Sequence, residues 1–426
     1  MDVGLIFTFV PQWLPTFMLG VVALLGLLLQ RKSFSETVSG TIKTMVGVIV
    51  LFVAVGVLVD TINPIATMFG KVFAIEGEAT IDFVPFLAEF GAQVVLVMVF
   101  GFLVNVLLAW LTPLKYVFLT GHILFWNAFM VTAALADGGR LTSFWPLVIV
   151  GAIVLGIIST VLPALIAPFV RQLTGTNEFT IGHTTTGLAI VGALVGRYLG
   201  DKSKSTEDIE VPESLSFLKE MVISTSIVMF LLYLVIGLLA GPAWVAEQFT
   251  GNSVALWIFW ILFQSLKFGG GLIILLTGVR MMLAEIIPAF HGIANKLVPK
   301  AIPALDCPMV FPYAPNALAI GFPIAMLTSL ITLAIFGAAG YKYLLLPLVV
   351  AAFFDVGPGA VLANATGGVR GTILAAAIGG VLMIVIQAAA LPFVLNTAAG
   401  FVNAFGGNDF GLIAIVVGGL AKLFGF

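Results

Sequence analysis

Apolar residues run along this chain in long, nearly unbroken stretches, and polar positions cluster between the stretches instead of alternating within them. The hydrocarbon core of a bilayer, about 30 Å thick, takes roughly 20 apolar residues in helical form. Runs of that order predict spans at about 12–30, 44–62, 91–111, 118–136, 143–168, 181–197, 221–240, 254–279, 318–338, 343–365 and 371–393, with a further apolar run at about 410–424. The expectation is an all-α polytopic membrane protein of about eleven transmembrane helices, some broken or re-entrant. Two runs are poor rods: 181–197 is short and opens with a threonine triplet, and 343–365 is interrupted by Asp355, Gly357, Pro358 and Gly359. The glycine-rich stretch 356–368 has the composition of a hinge or unwound helix. Long runs also argue against a β-barrel, whose strands are short and alternate apolar with polar.

One stretch departs from the apolar background. Residues 280–316, RMMLAEIIPAFHGIANKLVPKAIPALDCPMVFPYAPN, carry Arg280, Glu285, His291, Lys296, Lys300 and Asp306, with prolines at 288, 299, 303, 308, 312 and 315. Proline removes a backbone donor, and an ionised group at membrane depth is costly unless it faces protein or a wet cavity. The stretch therefore reads in two ways: as broken backbone at a transporter's substrate site, or as an extramembrane loop with two amphipathic helices.

Composition narrows the class. The chain of 426 residues is 61% hydrophobic and 9% charged, which excludes a water-soluble globular protein carrying roughly 25% charge. Its 18 Lys and Arg are scattered and make no basic stripe, so no nucleic-acid partner is expected. The single cysteine, Cys307, leaves no intrachain disulfide and reads as a small buried hydrophobe. The run 14–29 is followed by Arg31 and Lys32, more like a first span than a cleaved leader. Arg31, Lys32, Lys43, Lys115 and Arg171 mark cytoplasmic boundaries, which puts the N-terminus outside. The polar segment 201–220 is then cytoplasmic, and its Lys202, Lys204 and Lys219 are candidates for docking a partner protein.

Candidate chemistry is sparse enough to enumerate. The chain has three histidines: His122 in LTGHILFWN, His183 in TIGHTTTG and His291 in PAFHGIAN. The first two follow a glycine at the mouth of an apolar run, beside Asn127 and Thr184 to Thr186. An imidazole both donates and accepts hydrogen bonds, which suits a hydroxylated ligand. Glu285 and Asp306 are the acids of interest, because a carboxylate accepts two hydroxyls at once. Glu285 also reads as a structural partner of Arg280 or Lys296, whereas Asp306 stands between Pro303 and Pro308, with Asn316 beyond a second proline break. Trp126 and Phe125 offer aromatic surface to a ring. The nearest two histidines are 61 residues apart and no HExxH or Cys/His cluster exists, so no metal is expected. Neither GxSxG nor GxxxxGK[ST] occurs, and no catalytic residue or cofactor is implied.

The order LTGH at 119–122, IGHT at 181–184, VRMMLAEIIPAFHGIANKLVPKAIPALDCPMVFPYAPNA at 279–317 and the glycine-rich stretch near 357, with RKS at 31–33 and GTIKTMVG at 40–47, resembles the integral membrane IIC component of the bacterial L-ascorbate phosphotransferase system. The resemblance covers nearly the whole chain. It implies an inner-membrane homodimer of elevator type. A discontinuous core domain would include 91–200 and 279–400, and a scaffold or dimerisation domain 12–63 and 221–278. It further implies that the substrate is phosphorylated by a separate cytoplasmic IIB protein, itself charged by IIA. By the same resemblance, substrate contacts fall to His122, Trp126, His183, Thr184 and Asp306. Asn127 and Thr185 join them by position, and Glu285, His291, Asn316, Gly357 and Gly359 are supporting positions.

Two departures bear on the substrate. The ascorbate carriers have glutamine four residues after the first histidine and glutamines after the second, where this chain has Trp126 and Thr184 to Thr186. Ascorbate is thus one candidate among related sugars, polyols and sugar acids. From the residues alone, a proton- or sodium-coupled secondary transporter and a non-transporting membrane receptor or scaffold are the rival functions.

Overall fold

The computed structural model describes residues 16–17, 20–21, 23–73, 84–210, 217 and 220–425. Helices dominate: α1 (Phe34–Val72), α2 (Val84–Leu111), α3 (Gly121–Ala136), α4 (Phe144–Thr174), α5 (Thr186–Leu199), α6 (Met221–Ala240), α7 (Pro242–Phe249), α8 (Trp257–Leu297), α9 (Pro315–Ala338), α10 (Gly357–Ala390), α11 (Ala399–Phe405) and α12 (Asp409–Phe424). Three short strands interrupt them: β1 (Tyr116–Phe118), β2 (Thr180–Ile181) and β3 (Ile302–Leu305).

The expected count of about eleven spans is corrected. Among the described residues, five helical segments are long and apolar enough to cross a membrane: Glu89–Leu111, Phe144–Thr174, Val254–Leu275, Pro315–Ala338 and Val349–Phe393. A sixth arises if Thr225–Ala240 and Pro242–Phe249, bent by 107° at Gly241, form one broken span. Part of the predicted run at 12–30 lies outside the described residues; for several of the other runs the reasons are physical. The runs at 118–136 and 181–197 each spend their first residues on a strand, and the helices that follow, of 16 and 14 residues, rise only about 21–24 Å. The runs 343–365 and 371–393 belong to one 45-residue segment. The last run is a helix of 16 residues. Helix α3 is buried on every side except at Trp126, as befits a helix enclosed by protein and not by lipid. The expected division into core and dimerisation domains, with its elevator architecture, is not what the packing shows. One buried apolar cluster runs from Val48 and Leu58 in α1 through α3, α9 and α10 to Ala421 in α12.

Small residues set the closest helix approach. Helix α5 lies against α10 through Gly192 and Gly196. A β-carbon at Gly192 would sit 2.6 Å from the Gly359 carbonyl oxygen, and one at Gly196 would sit 2.7 Å from that of Ala363. In a lipid environment such contact replaces the hydrophobic driving force that water would supply. Helix α10 is broken at Gly367 and Gly368, where Gly368 adopts φ 58°. The break receives the 201–204 loop: Asp201 N–H donates to the Gly367 carbonyl at 2.8 Å, and Val369 N–H to that of Lys204 at 2.9 Å. Lys202 and Lys204 are exposed on this loop, and Lys219 lies outside the described residues.

Carboxylates cap helices across the fold. Asp409 accepts from the N–H groups of Thr186 at 3.0 Å and Gly187 at 2.8 Å, closing the start of α5 from the first turn of α12. Glu207 does the same for α9, accepting from Asn316 N–H at 3.3 Å and Ala317 N–H at 3.1 Å. Both place negative charge where a helix leaves unpaired donors.

Substituting Gly192 by alanine drives a methyl group into backbone, an overpacking worth about 1–3 kcal/mol. We expect G192A to melt at a lower temperature than the parent in detergent. G270A, at a position with nothing within 4 Å of an added β-carbon, should melt like the parent. Equal melting of all three proteins would contradict the close α5–α10 approach.

Candidate functional site

The site is built by three strands too short to be a sheet on their own account. They pair in parallel in the order β1-β3-β2, with Tyr116, Val117 and Phe118 opposite Ile302, Pro303 and Ala304, and Thr180 and Ile181 opposite Ala304 and Leu305. The ladder continues past the strand ends, where Leu119 N–H donates to the Ala304 carbonyl at 2.9 Å and Gly182 N–H to that of Leu305 at 2.7 Å. Gly182 is required there, since a β-carbon would lie 2.8 Å from the Ala304 carbonyl oxygen. Asn105 of α2 saturates the outer edge of β1. Its Nδ2 donates to the Tyr116 carbonyl at 3.1 Å and its Oδ1 accepts from Phe118 N–H at 2.9 Å.

Beyond the carboxyl ends of the strands lie His122, His183 and Asp306. Because β3 is the central strand, Asp306 is flanked from both sides: His122 Nε2 is 3.6 Å from Oδ2 and His183 Nε2 is 3.6 Å from Oδ1. All three side chains are buried. Asp306 also caps the turn that follows, accepting from Cys307 N–H at 2.8 Å. Cys307 is buried, its thiol donating to the Phe354 carbonyl at 3.2 Å.

A second carboxylate completes the cluster. Asp355 sits in a π-helical turn, Ala352–Val356, just before α10. It lies 3.7 Å from His183 Nδ1 and accepts from Thr184 Oγ1 at 3.1 Å and from Asn408 Nδ2 at 2.8 Å. His183 thus stands between two acids, one facing each ring nitrogen. The Thr185 hydroxyl donates to the Asp355 main-chain carbonyl at 2.7 Å and so secures the turn.

These groups open on a cavity of about 350 Å³. His122, His183, Thr184, Asp306, Asp355 and Asn408 form its polar lining. Trp126, Phe354, Phe401, Phe405 and Phe410 form its aromatic lining, with Gly56 of α1 and Leu275 of α8 contributing from the far helices. Trp126 lies one helical turn beyond His122, on the same face of α3. Its ring centroid is 5.0 Å from that of Phe401.

The other positions singled out in the sequence lie elsewhere. Asn127 and Thr185 are buried but do not line the cavity, and Asn316 donates to the Thr206 carbonyl at 3.0 Å at the start of α9. Gly357 and Gly359 open α10, where Gly359 packs against the backbone of α5. Glu285 and His291 fall within helix α8, but their side chains lie outside the described residues. Asp355, Asn408 and the three phenylalanines of 401–410 were missed. The signals were an acid inside an apolar run, FFDVGPG, and the polar GGND that breaks the C-terminal apolar run.

Folding cancels the separation in sequence that argued against a metal cluster. One donor atom each from His122, His183 and Asp306 lies within 4.8 Å of the others. A hydroxyl held by hydrogen bonds of roughly 2.8 Å fits that spread. The same three donors are of the types that could hold a metal ion, and the arrangement equally fits a hydroxylated solute.

A curated relative, the ascorbate-specific phosphotransferase-system EIIC component of Mycoplasma pneumoniae, is 26% identical over 435 residues, covering 90% of this chain and 66% of that protein. The matched region therefore spans just under two thirds of the relative's length. The family model of the phosphotransferase-system sugar-specific permease component, EIIC-GAT, matches residues 9–409. The chain is thus a multi-pass membrane protein of the phosphotransferase-system IIC sugar-permease family.

Proposed function

We propose that this chain binds a small hydroxylated solute, L-ascorbate or a related sugar or polyol, in the cavity beneath the three strands. It would present that solute to a separate cytoplasmic IIB protein for phosphorylation. IIB is recharged by IIA, with phosphoenolpyruvate as the ultimate donor. In this reading the protein is a homodimer in the bacterial cytoplasmic membrane with its N-terminus outside. The observation that carries the reading is the convergence of His122, His183 and Asp306 on one cavity in a chain of this family.

The chemistry supports binding more than catalysis by the chain itself. Each carboxylate has about four acceptor positions, and the imidazoles add both donors and acceptors, so one hydroxyl can be held by two residues. Charge-assisted hydrogen bonds of this kind are roughly twice as strong as neutral ones. The one thiol, Cys307, is buried and engaged, which supports a phosphoryl carrier on another polypeptide. The exposed Lys202 and Lys204 lie where such a carrier would approach, if the 201–210 segment faces the cytoplasm.

Proteoliposomes containing the chain should accumulate sugar phosphate only when IIA, IIB and phosphoenolpyruvate with its general carriers are supplied. Equal accumulation of unmodified solute without those partners, driven by an imposed proton or sodium gradient, would contradict the coupling and favour a secondary transporter. Asp306→Asn should weaken solute binding at least tenfold, through loss of a charge-assisted bond worth roughly 1.5–3 kcal/mol. Unchanged affinity in a D306N protein that melts like the parent would remove Asp306 from the site.

A further inference from the structure

The triplet Thr184 to Thr186 directly follows His183, and each of its hydroxyls has a protein acceptor. Thr185 donates to the Asp355 main-chain carbonyl at 2.7 Å, Thr186 to the His183 carbonyl at 3.1 Å and Thr184 to Asp355 Oδ1 at 3.1 Å. Asn408 Nδ2 donates to the other carboxylate oxygen, Oδ2, at 2.8 Å. The main chain of the corner is fastened as well, because the Thr184 carbonyl accepts from Asp409 N–H at 3.0 Å. The triplet thus spends its hydrogens on the protein, and what it holds in place is Asp355 and the ring of His183.

The hydrogen count at Thr184 fixes more than position. An ionised carboxylate only accepts hydrogen bonds, and a hydroxyl has one hydrogen to give. With that hydrogen committed to Asp355 Oδ1, the Thr184 oxygen can only accept from His183 Nδ1, which lies 3.3 Å away. Asp355 Oδ1 itself is 3.7 Å from the same nitrogen. Both neighbours of Nδ1 are acceptors, so the ring carries a proton there. The partner of one ring nitrogen sets what the other is free to do. Here the free one is Nε2, which faces Asp306 Oδ1 at 3.6 Å, across a gap longer than a hydrogen bond. His122 is held differently. Its Nε2 faces Asp306 Oδ2 at 3.6 Å, but its Nδ1 is buried with no hydrogen-bond partner among the described residues. Two histidines in the same sequence setting are therefore fixed to different degrees.

We infer that Asp355 is a positioning residue for solute binding: through Thr184, and directly at Nδ1, it holds the His183 ring in one orientation with Nδ1 protonated, so that Nε2 is the nitrogen offered to the solute beside Asp306. Asn408 and Thr185 hold Asp355 in turn. This rests on the reading of the cavity as the solute site given above.

Nitrogen NMR of the full chain in lipid, labelled at the histidine ring nitrogens, tests this without any solute. Only three histidines contribute, and removing His122 or His291 in turn assigns the His183 signals. The parent should show His183 protonated at Nδ1. In Asp355→Asn the Asn408 donor draws the amide oxygen to the Oδ2 position, which turns the amide NH2 towards Thr184 and Nδ1 and should move the proton to Nε2. Calorimetric titration with L-ascorbate should then show D355N weakened at least fivefold. Thr184→Ser, which keeps the hydroxyl, should retain the parent signals and an affinity within twofold. A bare Nδ1 in the parent overturns the positioning role and needs no variant to fold. So does a D355N protein that melts like the parent and either binds ascorbate equally well or loses affinity with its His183 signals unchanged. If D306N still weakens binding tenfold in those cases, the solute site stands. Unchanged affinity in both D355N and D306N overturns the positioning role and the site together. The NMR comparison decides alone if the parent does not bind ascorbate.

Discussion

The structure depends on a requirement that is severe in an apolar environment: every backbone N–H and C=O removed from water needs a partner. Where this chain leaves the helix at 116–118, 180–181 and 302–305, it meets that requirement by pairing three separate segments in parallel. Adjacent strands stand about 4.8 Å apart. With β3 between β1 and β2, the residues just past the strand ends are forced to be neighbours, so Asp306 is approached by an imidazole from each side. The site follows from the ladder. Its position at the carboxyl ends of parallel strands is also where open α/β sheets place their ligands, here in a protein otherwise made of helices.

Holding acids inside such a fold is expensive, and each buried carboxylate is compensated. Asp409 closes α5, Asp306 caps the turn at Cys307, and Asp355 is held by Thr184 and Asn408. Asp137, just past the end of α3, is likewise buried, accepting from Asn396 N–H at 2.8 Å. Among the described residues, only Asp306 and Asp355 combine this with a place on the cavity wall. Structural capping and a place on the cavity wall therefore fall to the same side chains, and a charge that would otherwise destabilise the interior is fixed by its partners.

The two Gly-His corners and the proline-flanked Asp306 were legible in the sequence, because polar residues in broken backbone stand out against an apolar chain. The family was legible for the same reason. The number of spans was not. Hydropathy registers that a segment is apolar and is blind to whether lipid or protein surrounds it, so the buried α3 and the short α5 read as spans. The strands were invisible too, being two to four residues long and paired across more than a hundred positions. Asp355 read as a flaw in a hydrophobic run, since its partners Thr184 and Asn408 lie 171 and 53 residues away.

Convergence at the strand ends is measured most directly by a double-mutant cycle between His122 and Asp306, read out as affinity for the tightest-binding solute. Residues in one network couple by about 0.5–3 kcal/mol, whereas independent sites add to within roughly 0.3–0.5 kcal/mol. The account predicts that H122A and D306N together lose clearly less affinity than the sum of their separate losses. Strictly additive losses would show that the two side chains do not share a bound solute, and would contradict it.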